Sequence, residues 1–273
     1  MATGTILDTI LEHKRAEVAR HKRETPLSAL EAAVKEADFP LNLSGALWGE
    51  QVRLIAEVKK ASPSKGLIAP HFDPVAQARL YAENGAAAVS VLTEVDHFQG
   101  SLEHLRAVKA AVAREGLPVL RKDFLYDPYQ IYEARAAGAD AALLIVAMLE
   151  PGQLAEMMAA AHGIWLQTLV EVHSEAELET ALGAGAEIIG VNHRDLKTFT
   201  MDMGLALRLR PLIPPDRMVV AESGIHTADD VRPLKAAGIN AVLVGEALMT
   251  APDPAARVRE LAGVERAPGV ERR

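Results

Sequence analysis

From about residue 53 onward, short apolar runs alternate with longer mixed segments, and the junction between them repeats. A helix-like stretch stops at a glycine and passes straight into apolar residues. The phrase occurs as Asn84-Gly85-Ala86-Ala87-Ala88-Val89-Ser90-Val91, as Ala137-Gly138-Ala139-Asp140-Ala141-Ala142-Leu143-Leu144, as Ala184-Gly185-Ala186-Glu187-Ile188-Ile189-Gly190-Val191 and as Ala237-Gly238-Ile239-Asn240-Ala241-Val242-Leu243-Val244. A glycine there reads as a left-handed helix terminus, a conformation it adopts without a Cβ penalty. The four glycines lie 53, 47 and 53 residues apart, and half of each interval is about one βα unit. Gly116 and Gly163, each ahead of another apolar run, support the halving.

The pattern predicts strands over residues 53–58, 87–92, 117–121, 141–146, 164–171, 187–191, 217–222 and 241–245. Most are continuous apolar runs, as expected of parallel strands covered on both faces. Eight strands alternating with helices give an α/β class and a single-domain (β/α)8 TIM barrel. The alternative is an open doubly wound sheet, which places a glycine-rich phosphate turn after its first strand. Here that position holds Lys59-Lys60.

Upstream, Ile6, Leu7, Ile10, Leu11 and Val18 fall near a 3.6-residue period, so residues 5–24 read as an amphipathic helix. Pro26 opens a second helix that ends before Phe39-Pro40. His13-Lys14-Arg15 reads as a solvated face of the first helix. The expected organisation is an N-terminal helical extension over 1–48, the barrel over 49–262, and a flexible tail over 263–273.

Composition narrows the chemistry. Among 273 residues, 49% are hydrophobic, too many for a disordered chain. There is no cysteine, which removes thiolate metal sites and a thiol nucleophile and fits a reducing compartment. A net charge of −8 argues against a general nucleic-acid surface. No run approaches the ~18 apolar residues of a membrane span, and Met1–Asp8 lacks the pattern of a signal peptide. A cytoplasmic location is expected. There is no P-loop, G-x-S-x-G elbow or His-Glu-x-x-His motif. His162, His173 and His193 read as surface or supporting residues rather than metal ligands, and no metal is expected.

In such barrels the active site lies at the C-terminal ends of the strands. Five strands end in charged or amide residues: Glu57-Val58-Lys59, Arg121-Lys122-Asp123, Glu171-Val172, Asn192-His193-Arg194 and Glu222-Ser223-Gly224. Glu57 and Lys59 are two apart and share a face. Ser223-Gly224 and Gly245-Glu246 leave the last two strands, where small residues let backbone N–H groups approach an anion, so Ser223, Gly224, Gly245 and Glu246 are candidate phosphate ligands. Glu246 would act through its backbone, because its carboxylate would repel phosphate.

At these residues the chain resembles the indole-3-glycerol-phosphate synthase family of tryptophan biosynthesis. The resemblance rests on Ile55-Ala56-Glu57-Val58-Lys59-Lys60-Ala61-Ser62-Pro63-Ser64-Lys65-Gly66 and on Leu120-Arg121-Lys122-Asp123-Phe124. Glu171-Val172, Asn192-His193-Arg194-Asp195-Leu196 and Ala221-Glu222-Ser223-Gly224-Ile225 follow in the family's order. It covers about residues 5–262. His193 stands where a small or amide residue is expected, and Glu246 where some members have Ser.

The resemblance implies a carboxy-lyase. Its substrate would be 1-(2-carboxyphenylamino)-1-deoxyribulose 5-phosphate, which undergoes ring closure, decarboxylation and dehydration to indole glycerol phosphate. It assigns Lys122 as the acid that activates the sugar carbonyl and Glu171 as the base for the indole N–H proton. Whether Lys122 or Lys59 is the dehydration acid stays open. Glu57 would orient Lys122, and Lys59 would pair with the substrate's negative groups, phosphate included. Asn192 and Glu222 would hold sugar hydroxyls or the developing oxyanion, and Ser223 belongs to the same catalytic group. Ser62 and Arg194 would meet the anthranilate carboxylate, while Phe98, Phe124 and Leu196 would contact the ring region. No step calls for a cofactor. The expected partner is the small-molecule substrate, with no nucleic acid or membrane. The expected state is a monomer in transient contact with other enzymes of the pathway. A phosphosugar isomerase barrel, or a silent barrel that only binds a phosphorylated ligand, is the competing reading.

Overall fold

A computed structural model describes residues 6–63, 65–196 and 198–263. Thr5, Ser64, Lys197 and the expected tail from 264 onward therefore lie outside the described residues, as do the side chains of Ile6 and Asp8.

Eight parallel strands close a barrel: β1 Arg53–Val58, β2 Ala88–Leu92, β3 Val119–Lys122, β4 Ala141–Ile145, β5 Gln167–Val172, β6 Ile188–Asn192, β7 Met218–Glu222 and β8 Ala241–Val244. They pair in chain order, and β8 closes on β1 with Arg53 opposite Ala241. The (β/α)8 reading holds, and the open sheet is excluded. A short hairpin, Ala61–Ser62 with Gly66–Leu67, stands in the loop after β1.

The helices are α1 Ile6–Glu24, α2 Leu27–Glu36, α3 Leu43–Ala46, α4 Pro74–Glu83, α5 Leu102–Val112, α6 Pro128–Ala136, α7 Pro151–Gly163, α8 Glu175–Gly183, α9 Leu205–Leu209, α10 Ala228–Ala236, α11 Glu246–Met249 and α12 Pro254–Ala262. Their starts carry the expected chemistry. Asp73, Ser101, Ser174 and Asp253 accept first-turn N–H groups of α4, α5, α8 and α12, and Asp127 with Gln130 forms a capping box on α6. Gly85, Gly138, Gly185 and Gly238 all have positive φ, as the repeated phrase predicts. Gly163 does not. It closes α7, and Trp165 takes the left-handed turn instead, at φ 62°. Strand β5 consequently begins at Gln167 rather than at residue 164.

Strand alternation divides the apolar residues into two cores. Leu54, Ala56, Val89, Val170 and Val219 face the helices. Ile55, Leu120, Leu143, Leu169, Ile188, Val220 and Leu243 fill the barrel. The N-terminal extension closes both ends of that inner core. Leu7 and Ile10 of α1 reach it at the strands' C-terminal mouth, while Leu43 and Leu47 at α3 join it, and Ser44 N donates to Gln167 at the start of β5. Between them the chain descends along α6, where Tyr129 Oη donates to Thr25 O at 2.9 Å.

One expectation fails here. Lys14 is not on a solvated face: it is 1% exposed, and its ammonium lies 2.9 Å from Asp123 Oδ1 and 3.0 Å from Glu17. His13 and Arg15 are exposed as expected. A cation that far from water needs a partner, and Asp123, beside Lys122, provides it. Among the described residues, no helix is long and apolar enough to cross a membrane.

Candidate active site

The C-terminal mouth holds a cavity of about 250 Å³. Every predicted site residue lines it: Glu57, Lys59, Ser62, Phe98, Lys122, Phe124, Glu171, Asn192, Arg194, Leu196, Glu222, Ser223, Gly224, Gly245 and Glu246. Seven of the eight strands, or the segments that leave them, deliver these groups because alternate positions point inward. The residue above each inner apolar position is then the first to meet the mouth, as Glu57 follows Ile55 and Glu171 follows Leu169.

Lys122 is the hub. Its Nζ lies 3.3 Å from Glu171 Oε2 and 3.4 Å from Glu222 Oε2. Burial alone would lower its pKa, but Glu171, Glu222 and Glu57 outweigh burial and raise it above the ordinary lysine value. The group is therefore an ammonium. Burial would also raise the Glu171 carboxyl. Lys122, His173 and the Asn192 amide outweigh burial, so Glu171 is held well below the usual carboxylate range. Glu222 goes the other way. Burial dominates, Glu171 and Glu57 repel its charge, and its pKa is raised to about 8. Three neighbouring carboxylates around one lysine thus do not all ionise. Glu222 Oε1 is buried with no hydrogen-bond partner among the described residues.

Glu57 and Lys59 form their own pair at 2.7 Å. Glu57 therefore holds Lys59 directly and acts on Lys122 only through space, which differs from the orienting role expected of it. Two residues apart on one strand face, the two side chains reach each other before either reaches β3.

The barrel wall makes room for these groups. A Cβ on Gly190 would run into the Glu222 carboxyl, and one on Gly245 into that of Glu57. At the phosphate side, Ser223 and Gly224 both adopt positive φ, 68° and 75°. A Cβ on Gly224 would also collide with Met201 and Met203. The Glu246 carboxylate turns to Lys65, 3.5 Å away across the loop after β1. Phe98 and Phe124 face each other with centroids 6.1 Å apart. Phe98 is set by a turn in which the Glu94 carboxylate accepts the N–H groups of Asp96, His97 and Phe98. Arg194 N donates to Asn192 Oδ1 at 3.0 Å, tying that loop to the end of β6.

Sequence reading missed some contributors and left the partners of others open. Leu7 and Ile10 of α1 line the cavity, though nothing in their helical spacing says which surface they cover. Arg121, counted among the rim charges, points outward. It lies 2.9 Å from Glu133 on α6 and 3.2 Å from Asp123. His173 contacts Glu171, and the buried His193 places Nδ1 3.0 Å from Ser223 O. The i, i+2 spacing of Glu171 and His173 is the signal that could have found the first. Among the described residues no group of three or more His, Cys, Asp or Glu is placed to hold a metal ion.

Comparison with known proteins bears on the family of the chain. The family model described as indole-3-glycerol phosphate synthase matches residues 7–261. An indole-3-glycerol phosphate synthase of Dehalococcoides mccartyi (strain ATCC BAA-2266 / KCTC 15142 / 195) is 52% identical over 257 residues, covering 94% of this chain and 99% of the relative. One from Roseiflexus sp. (strain RS-1) is 52% identical over 265 residues, covering 95% and 98%. Among solved structures, a 3-hexulose-6-phosphate synthase superposes with a TM-score of 0.62 at 18% identity, covering 78% of this chain and 99% of that one. The thiamine phosphate pyrophosphorylase from Pyrococcus furiosus gives 0.61 at 18% identity, covering 78% and 95%. At that identity the two structures bear on the barrel alone.

Proposed function

The chain belongs to the indole-3-glycerol phosphate synthase family, and from that premise we propose how its own side chains carry the reaction. The activity is a decarboxylating ring closure. The carboxylate-bearing ring carbon of 1-(2-carboxyphenylamino)-1-deoxyribulose 5-phosphate attacks the sugar C2 carbonyl, carbon dioxide leaves, and water leaves to give indole glycerol phosphate.

The observation that carries the assignment is the position of Lys122 between Glu171 and Glu222 on the cavity wall. Closure requires a proton donor at C2 as the carbonyl oxygen gains charge. Lys122, kept as an ammonium by its carboxylates, is that donor. Dehydration requires an acid for the departing hydroxyl and a base for the proton the ring gives up. Glu171, kept ionised, is the base. Lys59 and Lys122 both approach the same cavity, so the hydroxyl can take its proton from Lys59 directly, or from Lys122 once solvent has returned the proton it gave up at closure. Glu222, protonated near neutrality, donates a hydrogen bond from its otherwise unpartnered Oε1 to a sugar oxygen, and Asn192 supports it.

Lys59, Ser223, Gly224, Gly245 and the backbone of Glu246 hold the phosphate end. The ion pair with Lys65 turns the Glu246 charge aside. Arg194 and Ser62 meet the ring carboxylate. Phe98, Phe124 and Leu196, with Leu7 and Ile10, enclose the aromatic ring and shed water from it.

The test is direct. Purified protein is mixed with the substrate in EDTA-containing buffer, and indole fluorescence is followed with product mass. A product lighter by carbon dioxide and water supports the assignment. No turnover, with a ligand-induced rise in melting temperature, leaves only a phosphate-binding barrel.

A further inference from the structure

His173 leaves β5 two residues after Glu171 and takes no part in the steps above. Its ring is enclosed, with 8% of the side chain exposed. Nδ1 lies 3.1 Å from Glu177 Oε2, and the same oxygen accepts the backbone N–H of His173 at 2.8 Å. Glu177 is itself fixed in the first turn of α8, where its N–H donates to Ser174 Oγ. On the other side, Nε2 lies 3.2 Å from Glu171 Oε1, an ion-pair contact rather than an aligned hydrogen bond.

We propose that His173 is a positioning residue for this reaction. Carried as an imidazolium by Glu177, it turns Glu171 so that Oε2 faces Lys122, and it supplies a second positive charge to the base. The inference rests on Glu171 being that base.

Two observations and one consequence of the proposed mechanism support it. Both ring nitrogens face carboxylate oxygens. A neutral ring would turn a lone pair toward one of them, whereas an imidazolium presents an N–H and positive charge to both. In keeping with this, burial would lower the His173 pKa, but Glu171 and Glu177 outweigh burial and raise it to about 10.

Next, Lys122 is a divided partner. It is shared with Glu222 from β7 and feels Glu57 from β1. Asn192 of β6 is a further polar group on Glu171 from a neighbouring strand, and Glu222 opposes its charge only where it ionises, above about pH 8.

Finally, Lys122 must give up its proton during the cycle. At that moment its charge on Glu171 is lost, and His173 is the cation left in contact with the base. Each oxygen of Glu171 thus has its own cation, one that reacts and one that does not.

The experiment is the pH dependence of kcat and KM for the wild type, His173→Gln, Glu177→Gln and Glu171→Gln. Loss of a contacting charge should raise the acidic limb of kcat by about one pH unit or more in His173→Gln. KM should stay near wild type, and turnover should recover at higher pH. Glu177→Gln leaves the ring in place and should move the limb the same way by less, so it decides the matter if His173→Gln does not fold. An unmoved limb in both variants overturns the proposal, as does a loss of kcat equal at every pH. Glu171→Gln separates the two levels. If it retains turnover, the base assignment falls and the proposal with it. If it is inactive while the limb is unmoved, only the role of His173 falls.

Discussion

Replacing Lys14 with Met tests whether a buried charge fastens the N-terminal extension to the barrel. Met keeps much of the stem's volume, so the change removes the ammonium rather than the packing. Removing one partner of a buried ion pair costs roughly 3–5 kcal/mol when the other is stranded. Asp123 is not fully stranded. It keeps Thr93 Oγ1 at 2.6 Å and Arg121 at 3.2 Å, so the lower end applies.

A second route gives a similar figure. Burial would raise the Asp123 carboxyl, but Lys14 first and Arg121 next outweigh it and hold it at about 2. Against an ordinary value near 3.9, that depression corresponds to roughly 2.5 kcal/mol at neutral pH, of which Lys14 supplies the largest attractive part. We therefore expect a loss of about 2–3 kcal/mol. For a chain of this size each kcal/mol moves Tm by roughly 2–4 °C, so Tm should fall by about 4–12 °C.

Thermal unfolding at pH 7 measures this, and a pH series checks the cause. Because the folded-state value of Asp123 is depressed, its contribution is full above about pH 4 and is lost as pH falls through about 2. The gap between wild type and Lys14→Met should narrow over that window. A fall of less than about 2 °C at pH 7, or a gap that ignores pH, would refute the reasoning.

Other consequences can be checked on the same protein. Lys122→Ala and Glu171→Ala should each fold and lose at least ~10² in turnover, the lower end of general acid–base contributions; near-wild-type rates in either would remove it from the mechanism. Glu222 holds in the folded state a proton that the unfolded chain releases, since its value is raised to about 8. Its contribution to stability therefore falls as pH rises from about 4.5 to 8, and Glu222→Gln should remove that decline. Equal pH slopes of Tm for variant and wild type would count against it. Glu246→Ser removes a carboxylate from the phosphate end, so inorganic phosphate should bind roughly two- to five-fold tighter, the scale of one exposed charge interaction. Unchanged inhibition by phosphate would show that the Lys65 pair already cancels the charge.

The barrel was legible because its punctuation is local. Gly85, Gly138, Gly185 and Gly238 each mark a helix end by a backbone requirement that no other residue meets as cheaply. Where that rule was relaxed, the reading slipped. The strained turn after α7 falls on Trp165 rather than on Gly163, and the predicted start of β5 moved with it. The rim chemistry was legible because strand alternation fixes which residues face inward. What could not be read were partnerships between distant elements. The pattern of α1 marks its apolar stripe, but Lys14 lies inside because Asp123, more than a hundred positions away, meets it. The pairing of Glu57 with Lys59, and the outward turn of Arg121 to Glu133, depend likewise on distances that only the closed barrel sets.

The two glycines that make room for buried carboxylates constrain how this site can diverge. Gly190 and Glu222 share one volume on neighbouring strands, as do Gly245 and Glu57. A side chain gained at either glycine would push the carboxyl end of the glutamate opposite out of its place, whereas a shorter residue there would leave room for it. Each pair therefore behaves as a single evolutionary character. The glycine varies freely only after the acid has gone, and the acid regains its present place only where the glycine persists. A lineage that lost Glu222 and then filled position 190 could not regain the acid in its present place by one substitution. In laboratory evolution of this barrel, recombination that separates β6 from β7, or β1 from β8, should yield inactive chimaeras whenever one parent has crossed that step. The order of events, rather than the identity of the final residues, would decide which barrels remain synthases.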